Sequence, residues 1–121
     1  VYRAIERLGA LELIAARREE PGAAGPRRTV YGPTRRGRAA LRRWLTQPVS
    51  HLRDIRSELL LKLVIARRVG VDAGPLVRAQ REALAPQFDG LRAAPGAGDP
   101  VVLWRHHSAM AAERFLRDLE G

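Results

Sequence analysis

Cysteine is absent from this 121-residue chain, which excludes disulfide bonds and thiolate metal sites. Aromatic side chains are scarce, at 5% of residues, although 45% of the residues are hydrophobic. The core must therefore be built from Leu, Val, Ile and Ala, a composition that suits helices. A chain of this length fits one modest domain, or a small module with a helical extension.

Long apolar runs are missing as well. No stretch approaches the roughly 20 apolar residues of a membrane span, and no signal-peptide pattern opens the chain. From these two features we expect a soluble, cytoplasmic protein without a membrane partner.

Lysine is nearly absent, since Lys62 is the single lysine among 22 basic residues. The net charge of +9 is uneven: residues 1–47 have 11 basic and 4 acidic side chains, whereas residues 48–121 have 11 and 9. A basic first part of this kind predicts a surface that binds a polyanion. Arginine rather than lysine suits bidentate contacts with phosphate or guanine, but codon bias explains the same preference.

The first part of the chain predicts a helix, a hairpin and a second helix. The elements expected are a helix from Val1 to about Leu8, strands at Leu13–Arg18 and Arg28–Tyr31, and a helix from Arg35 to about Thr46. Thr34 is placed to cap the second helix, and Gly and Pro between the strands predict a flexible hairpin tip. This order, with a basic tip, is that of the second half of a winged helix, so we predict a DNA-binding wing.

The rest of the chain predicts three helices, at Asp54–Val69, Gly74–Leu91 and Pro100–Leu119. Asp72 and Asp99 are placed to cap the second and third of these. The expected fold class is mainly α with a small β-hairpin: a partial winged helix-turn-helix followed by a helical dimerisation domain.

The helix predicted at Asp54–Val69 has more apolar residues than one neighbouring helix would cover. This excess favours self-association, in which a helical hairpin of residues 74–119 packs across a second copy. The expected dimer interface consists of Leu59, Leu63, Trp104, Ala111, Phe115 and Leu119.

Metal binding and catalysis have little support in the sequence. His106 and His107 are adjacent on a predicted helix, so their side chains diverge by about 100°, and His51 is distant along the chain. No Ser–His–Asp set, glycine-rich phosphate loop or helically spaced carboxylate pair stands out. We therefore expect no metal, no cofactor and no enzymatic activity.

Three blocks of the sequence resemble the PadR family of bacterial transcriptional regulators and occur in that family's order: VYRAIERLGALELI, GPRRTVYGPTRRGRAAL and DIRSELLLKLVIARRVG. The resemblance implies a recognition helix and the start of a wing in the first block, and the return strand and next helix in the second. It implies a partial winged-helix domain at residues 1–48 and a C-terminal dimerisation domain at residues 49–121. PadR proteins carry two further helices before the position of Val1, so the expected winged helix lacks its N-terminal helices.

Two positions depart from the family's pattern. Glu12 stands where family members usually have Gly before the Leu-Ile pair, and we expect it to disturb the turn after the recognition helix. Pro33 stands where an apolar strand residue is usual. We expect it to shorten the return strand, because proline donates no hydrogen bond to the partner strand.

The resemblance places Tyr2 and Arg3 on the groove-facing side of the recognition helix. Arg27 and Arg28 at the hairpin tip suit the DNA backbone or the minor groove. Cations at the start of a helix oppose its dipole by about 0.3–1 kcal/mol each, so phosphate contact would account for Arg35 and its neighbours. For the hairpin arginines, the alternative is an ordinary charged strand edge that deters aggregation. For the arginines at the start of the helix, the alternative is codon bias. The expected DNA contacts are Tyr2, Arg3, Arg7, Arg17, Arg18, Arg27, Arg28, Arg35 and Arg36.

In some PadR relatives, aromatic residues near the dimer interface stack flat drugs or phenolic compounds. The resemblance therefore implies a small aromatic effector, for which Trp44 is the candidate ligand-binding residue.

The function expected is a DNA-binding transcriptional regulator, a ligand-responsive dimeric repressor whose partners are double-stranded DNA and a second copy of the chain. The alternative is a truncated, dimerising interaction protein with only non-specific, salt-sensitive DNA affinity. RNA binding is disfavoured because no aromatic platform accompanies the arginines.

Overall fold

The computed structural model describes residues 2–96 and 98–121, and in these ranges the fold is mainly helical with one two-stranded antiparallel hairpin. The prediction of a mainly α fold with a small β-hairpin is confirmed. The elements in chain order are α1 Tyr2–Ala10, β1 Ile14–Glu20, β2 Arg28–Pro33, α2 Arg35–Thr46, a 3₁₀-helix at Leu52–Arg56, α3 Glu58–Val69, α4 Gly74–Leu91 and α5 Pro100–Glu120. The helix start predicted at Val1 lies outside the described residues.

Helix α1 ends in a turn with the two backbone hydrogen bonds of a Schellman motif. The Leu13 amide donates to the Leu8 carbonyl at 2.9 Å, and the Glu12 amide donates to the Gly9 carbonyl at 3.0 Å. The motif needs one residue in the left-handed conformation, and Glu12 takes it with φ 59°. This conformation is unfavourable by roughly 1–2 kcal/mol for a residue with a β-carbon. The helix therefore continues through Gly9 to Ala10, past its predicted end at Leu8.

A glycine takes the equivalent position at the end of α3. Gly70 is left-handed, with φ 74°, and the Val71 amide donates to the Ala66 carbonyl at 2.9 Å. The chain thus places glycine in one of these two turns and glutamate in the other.

The single helix predicted at Asp54–Val69 is wrong, since two separate elements occupy this stretch. Ser57, with φ −121° and ψ −80°, leaves helical geometry between the 3₁₀-helix and α3. Ile55 and Leu59 on either side of the break are both buried in one core. Their helical spacing therefore continues across the break, which is why the spacing did not reveal it.

The predicted caps of the last two helices both accept backbone hydrogen bonds. The Asp99 carboxylate accepts from the Val101 amide at 2.9 Å, which confirms it as the N-cap of α5. The N-cap of α4 is Ala73 rather than Asp72, but the Asp72 carboxylate accepts from the Gly74 amide at 2.9 Å.

The chain divides into two compact units, the N-terminal unit up to Trp44 and the C-terminal unit Leu45–Gly121. The core of the C-terminal unit consists of Val49, Ile55, Leu59, Leu76, Val77, Leu84, Phe88, Ala109 and Leu116. In the described part of the N-terminal unit, residues 2–44, no residue is fully buried. Ile5, Leu13 and Leu41 are half-buried there, so apolar burial contributes little and directional hydrogen bonds contribute more.

Two buried polar side chains hold the segment that follows α2. The Gln80 side chain accepts from the Val49 amide at 2.7 Å and donates to the Val49 carbonyl at 2.9 Å. The Lys62 ammonium donates to the Gln47 carbonyl and lies 3.8 Å from a Glu58 carboxylate oxygen. The Gln80 and Lys62 side chains are buried and hydrogen-bonded to the backbone. The backbone of this segment must therefore follow a path that keeps these hydrogen bonds.

An ion-pair network joins α5 to the residue that follows α4. Both carboxylate oxygens of Glu113 accept from the Arg92 guanidinium at 3.0 Å, and Arg117 donates to one of them at 3.0 Å. The hydrogen bonds from Arg92 lower the pKa of Glu113 below its ordinary value of 4.5. The bidentate geometry fixes orientation as well as contributing energy.

We expect Glu113 to lower the free energy of unfolding as the pH becomes acidic. Since its folded-state pKa is depressed, its contribution is fully present above the unfolded-state pKa and is lost as the pH falls through the folded-state pKa. Urea unfolding should show that Glu113→Gln is less stable than the parent near pH 7 and that the difference shrinks towards pH 3. Glu82→Gln, at an exposed position, is the control. A difference that stays constant across this range would contradict the assignment.

Candidate nucleic-acid interface

Strands β1 and β2 pair antiparallel from Ile14 opposite Pro33 to Glu20 opposite Arg28, with a bulge at Arg17. The expectation that Pro33 shortens β2 is wrong, because β2 runs to Pro33 itself. The Pro33 carbonyl accepts from the Arg17 guanidinium at 2.5 Å. The Arg17 side chain passes so close to Gly32 that an added β-carbon would lie 2.7 Å from its Nε. Arg17 is therefore engaged in holding the hairpin.

The arginines near the hairpin tip are paired with acidic side chains. Arg18 Nε lies 2.8 Å from one oxygen of Glu20, and Arg28 Nη2 lies 3.0 Å from the other. Arg27 forms a looser pair with Glu19 at 3.8 Å. All three arginines remain largely exposed to solvent, so these pairs hold them without removing them from the surface.

Thr34 joins the end of α1, the hairpin and α2. Its amide donates to the Leu13 carbonyl at 3.0 Å, and its hydroxyl donates to the Glu12 carbonyl at 2.6 Å. The same hydroxyl accepts from the Gly37 amide at 3.0 Å, which confirms the predicted cap of α2. A β-carbon on Gly37 would collide with the Leu13 carbonyl, so the start of α2 lies directly against the turn after α1.

Helix α2 carries an exposed row of arginines, Arg35, Arg38 and Arg42, which we call the α2 row. Their spacing of three and four residues puts them on one side of the helix. Within residues 2–96 and 98–121, no acidic side chain pairs with any of the three. Arg36 is different, since it lies 3.7 Å from the Glu12 carboxylate. Neither Arg38 nor Arg42 was among the DNA contacts named from the sequence, although their spacing from Arg35 could have revealed them.

Helix α1 exposes the side that the resemblance assigns to the groove. Tyr2 is 83% exposed, and Arg3 and Arg7 are exposed on the side of the helix opposite Ile5 and Leu8. No ion pair engages Arg3 or Arg7 anywhere in the described chain. Both guanidinium groups are thus available to an anionic partner.

The residues expected at the dimer interface occupy different environments. Leu59 is 0% exposed and belongs to the core of its own unit, so it offers no surface to a partner in this fold, contrary to expectation. Leu63 and Phe115 are half-buried against the same core. The exposed ones are Trp104, at 70%, Ala111 and Leu119. Leu60, Leu61 and Val64, which belong to the apolar excess that favoured self-association, are exposed on α3 as well.

The C-terminal unit contains a cleft of about 1110 Å³ between the 3₁₀-helix and α5. Trp104, Phe115 and Leu60 supply apolar lining, and Arg53 and Arg105 lie at the same cleft. Trp44, the expected ligand-binding residue, does not line this cleft and is half-buried in the N-terminal unit.

The two histidines of α5 make contacts within the protein. His106 is buried, its Nδ1 lies 2.5 Å from the Leu91 carbonyl, and its ring meets that of His107 edge-on at 5.0 Å. In the part of the chain that the structure describes, no group of three His, Asp or Glu side chains is placed to hold a metal ion. Over the same ranges, a membrane could not be spanned by any helix, because none is both long and apolar enough.

Comparisons with protein-family models and with curated proteins find no match to this chain. The likeness to PadR regulators therefore rests on the three sequence blocks alone.

Two helical glycines of the N-terminal unit should respond oppositely to alanine. Gly37→Ala should destabilise the unit by about 1–3 kcal/mol, because the β-carbon meets the Leu13 backbone. Gly9→Ala should stabilise it by about 0.5–1 kcal/mol, because the β-carbon at Gly9 meets nothing within 4 Å. The measurement is urea unfolding followed by Trp44 fluorescence in a Trp104→Phe background. Equal effects of the two substitutions would contradict the close contact at Gly37.

Relief of the left-handed strain at Glu12 should stabilise the same unit. Glu12→Gly is expected to raise the free energy of unfolding by about 0.5–1 kcal/mol, because glycine avoids the left-handed penalty but loses more backbone entropy on folding. Glu12→Ala is the matched control, because it also removes the carboxylate near Arg36 but keeps the β-carbon. Stabilisation by alanine as large as that by glycine would assign the effect to charge instead of backbone strain.

Proposed function

We propose that the chain is a DNA-binding transcriptional regulator of the PadR type that acts as a dimer in the cytoplasm. The observation that carries the proposal is the unpaired positive charge of the N-terminal unit. Arg3, Arg7 and the α2 row have no acidic partner within the described residues, although 13 acidic residues are present in the chain. Unneutralised guanidinium groups concentrated on one small unit favour a polyanion with regularly spaced charges.

The three elements of the N-terminal unit suit different contacts with a duplex. Arg3 and Arg7 on α1 suit base edges in the major groove, where arginine pairs with guanine O6 and N7. Arg27 and Arg28 at the hairpin tip suit the sugar-phosphate backbone or a narrow minor groove. The α2 row suits phosphates, which position a protein on DNA but carry no sequence information.

Self-association through the C-terminal unit is part of the proposal. Trp104 and Leu119 on α5 and Leu61 and Val64 on α3 are exposed apolar side chains, which favour a protein partner. A two-fold dimer would present two copies of α1 to a pseudo-palindromic site. A flat aromatic effector suits the cleft that Trp104 lines better than the surroundings of Trp44.

A second function is favoured by the thin apolar core of the N-terminal unit. Since no residue in 2–44 is fully buried and Leu8 and Leu11 are exposed, the support beneath α1 is weak. A weakly supported α1 favours a dimerising interaction protein whose arginines bind DNA only through charge.

The two functions are separated by selection from a random duplex pool at about 150 mM salt, where charges beyond about 8 Å are screened. We expect enrichment of a two-fold-symmetric site. Binding without enrichment would support the interaction protein, and no binding would sink both.

Matched variants assign the phosphate contacts in the same assay. Replacing the α2 row with alanine should weaken binding to all sequences and flatten the plot of log affinity against log salt by about 0.9 per lost contact. Arg67→Ala with Arg68→Ala on α3 removes exposed charge from the other unit and should change the slope little.

A further inference from the structure

Glu20 holds two arginines of the hairpin at once. Its two carboxylate oxygens accept separately, from Arg18 Nε at 2.8 Å and from Arg28 Nη2 at 3.0 Å. The side chain of Glu20 is 30% exposed, whereas those of Arg18 and Arg28 are 65% and 72% exposed. The acid thus lies beneath two arginines that reach the solvent.

The backbone of the hairpin imposes this arrangement. Glu20 and Arg28 are directly opposite each other in the strand register, and Arg18 lies two residues before Glu20 in β1, so all three side chains share one face. The grouping therefore follows from strand pairing and does not depend on a chance rotamer of a long side chain.

A carboxylate between two guanidinium groups has the chemistry of a phosphate held by the same groups. Both anions offer two oxygens to N–H donors, and arginine binds both with the same fork geometry. A phosphate that uses the Arg18 and Arg28 donors must first displace the carboxylate of Glu20 or share the donors with it.

We propose that Arg18 and Arg28 form a phosphate site on the hairpin, and that the Glu20 carboxylate occupies this site in the free protein. The ligand class is a phosphate diester of a duplex backbone, so the inference rests on the proposed function. Glu20 is then an internal competitor that limits the affinity of the wing for DNA.

Glu19 provides a matched control on the adjacent position. It is a glutamate of β1 as well, but it is more exposed and meets a single arginine, Arg27, at 3.8 Å. Glu19→Gln and Glu20→Gln change the net charge of the hairpin equally. Only Glu20→Gln frees two guanidinium groups that are already close together.

The first arm of the test measures affinity for a duplex of random sequence. Glu20→Gln should bind on the order of tenfold more tightly than the parent. In the parent, the phosphate must break two ion pairs, each of which is weak because it is exposed, and the variant has neither pair. The slope of log affinity against log salt should steepen by about 0.9, for one additional phosphate neutralised. Glu19→Gln should gain clearly less. Equal gains would overturn the proposal in favour of net charge, and weaker binding by Glu20→Gln would make Glu20 a positioning residue for the arginines.

The second arm uses inorganic phosphate without DNA and follows the Arg18 Nε–H resonance by NMR. In Glu20→Gln the resonance should shift with added phosphate, and in the parent it should shift less; equal shifts would overturn the proposal. Adding Arg28→Ala to Glu20→Gln should abolish the gain. If phosphate distinguishes the variants while no duplex is bound, the anion site stands and the DNA-binding function fails.

Discussion

The hydrogen bonds of Thr34 are the constraint on which the N-terminal unit depends. Through its amide, hydroxyl and carbonyl, this residue connects the turn after α1 with the first turn of α2. Gly37 lets the two backbones approach, because no side chain separates it from the Leu13 carbonyl. Residues 2–44 include no fully buried side chain, so these hydrogen bonds, instead of a packed core, orient the helices and the hairpin of this unit. The relative directions of α1, the hairpin and α2 follow from them.

The arginines of the N-terminal unit fall into two physical classes. Those on the hairpin are engaged, either by the Pro33 carbonyl or by Glu19 and Glu20. Arg3, Arg7 and the α2 row are unengaged within the described ranges. On a nucleic acid, the helical arginines would bind without losing an internal partner, whereas the hairpin arginines would exchange one anion for another. Under the proposed function, the positive charge of the hairpin therefore overstates what the hairpin contributes to affinity for DNA.

The two units differ in the size of their apolar core and in their net charge. The C-terminal unit satisfies its buried polar side chains, including Lys62, Gln80 and Glu113, and has a continuous apolar core. It nevertheless exposes Trp104 and the outer side of α3. The N-terminal unit has little core and an excess of charge. Under the proposed function, a well-folded unit supplies the contacts between copies and a lightly supported unit supplies the contacts with DNA.

The amino-acid sequence by itself determined most of the elements and the charge distribution, because both depend on neighbours along the chain. Apolar spacing predicted α4 and α5, and the local hydrogen bonds of Thr34 and Asp99 were readable as caps. Tertiary structure alone decided the break at Ser57, the burial of Leu59 and the role of Gln80, since these depend on what lies across the core. It also decided the candidate site. A strand register and a bulge at Arg17 bring Glu20 between Arg18 and Arg28, and no local pattern encodes which acid meets which base.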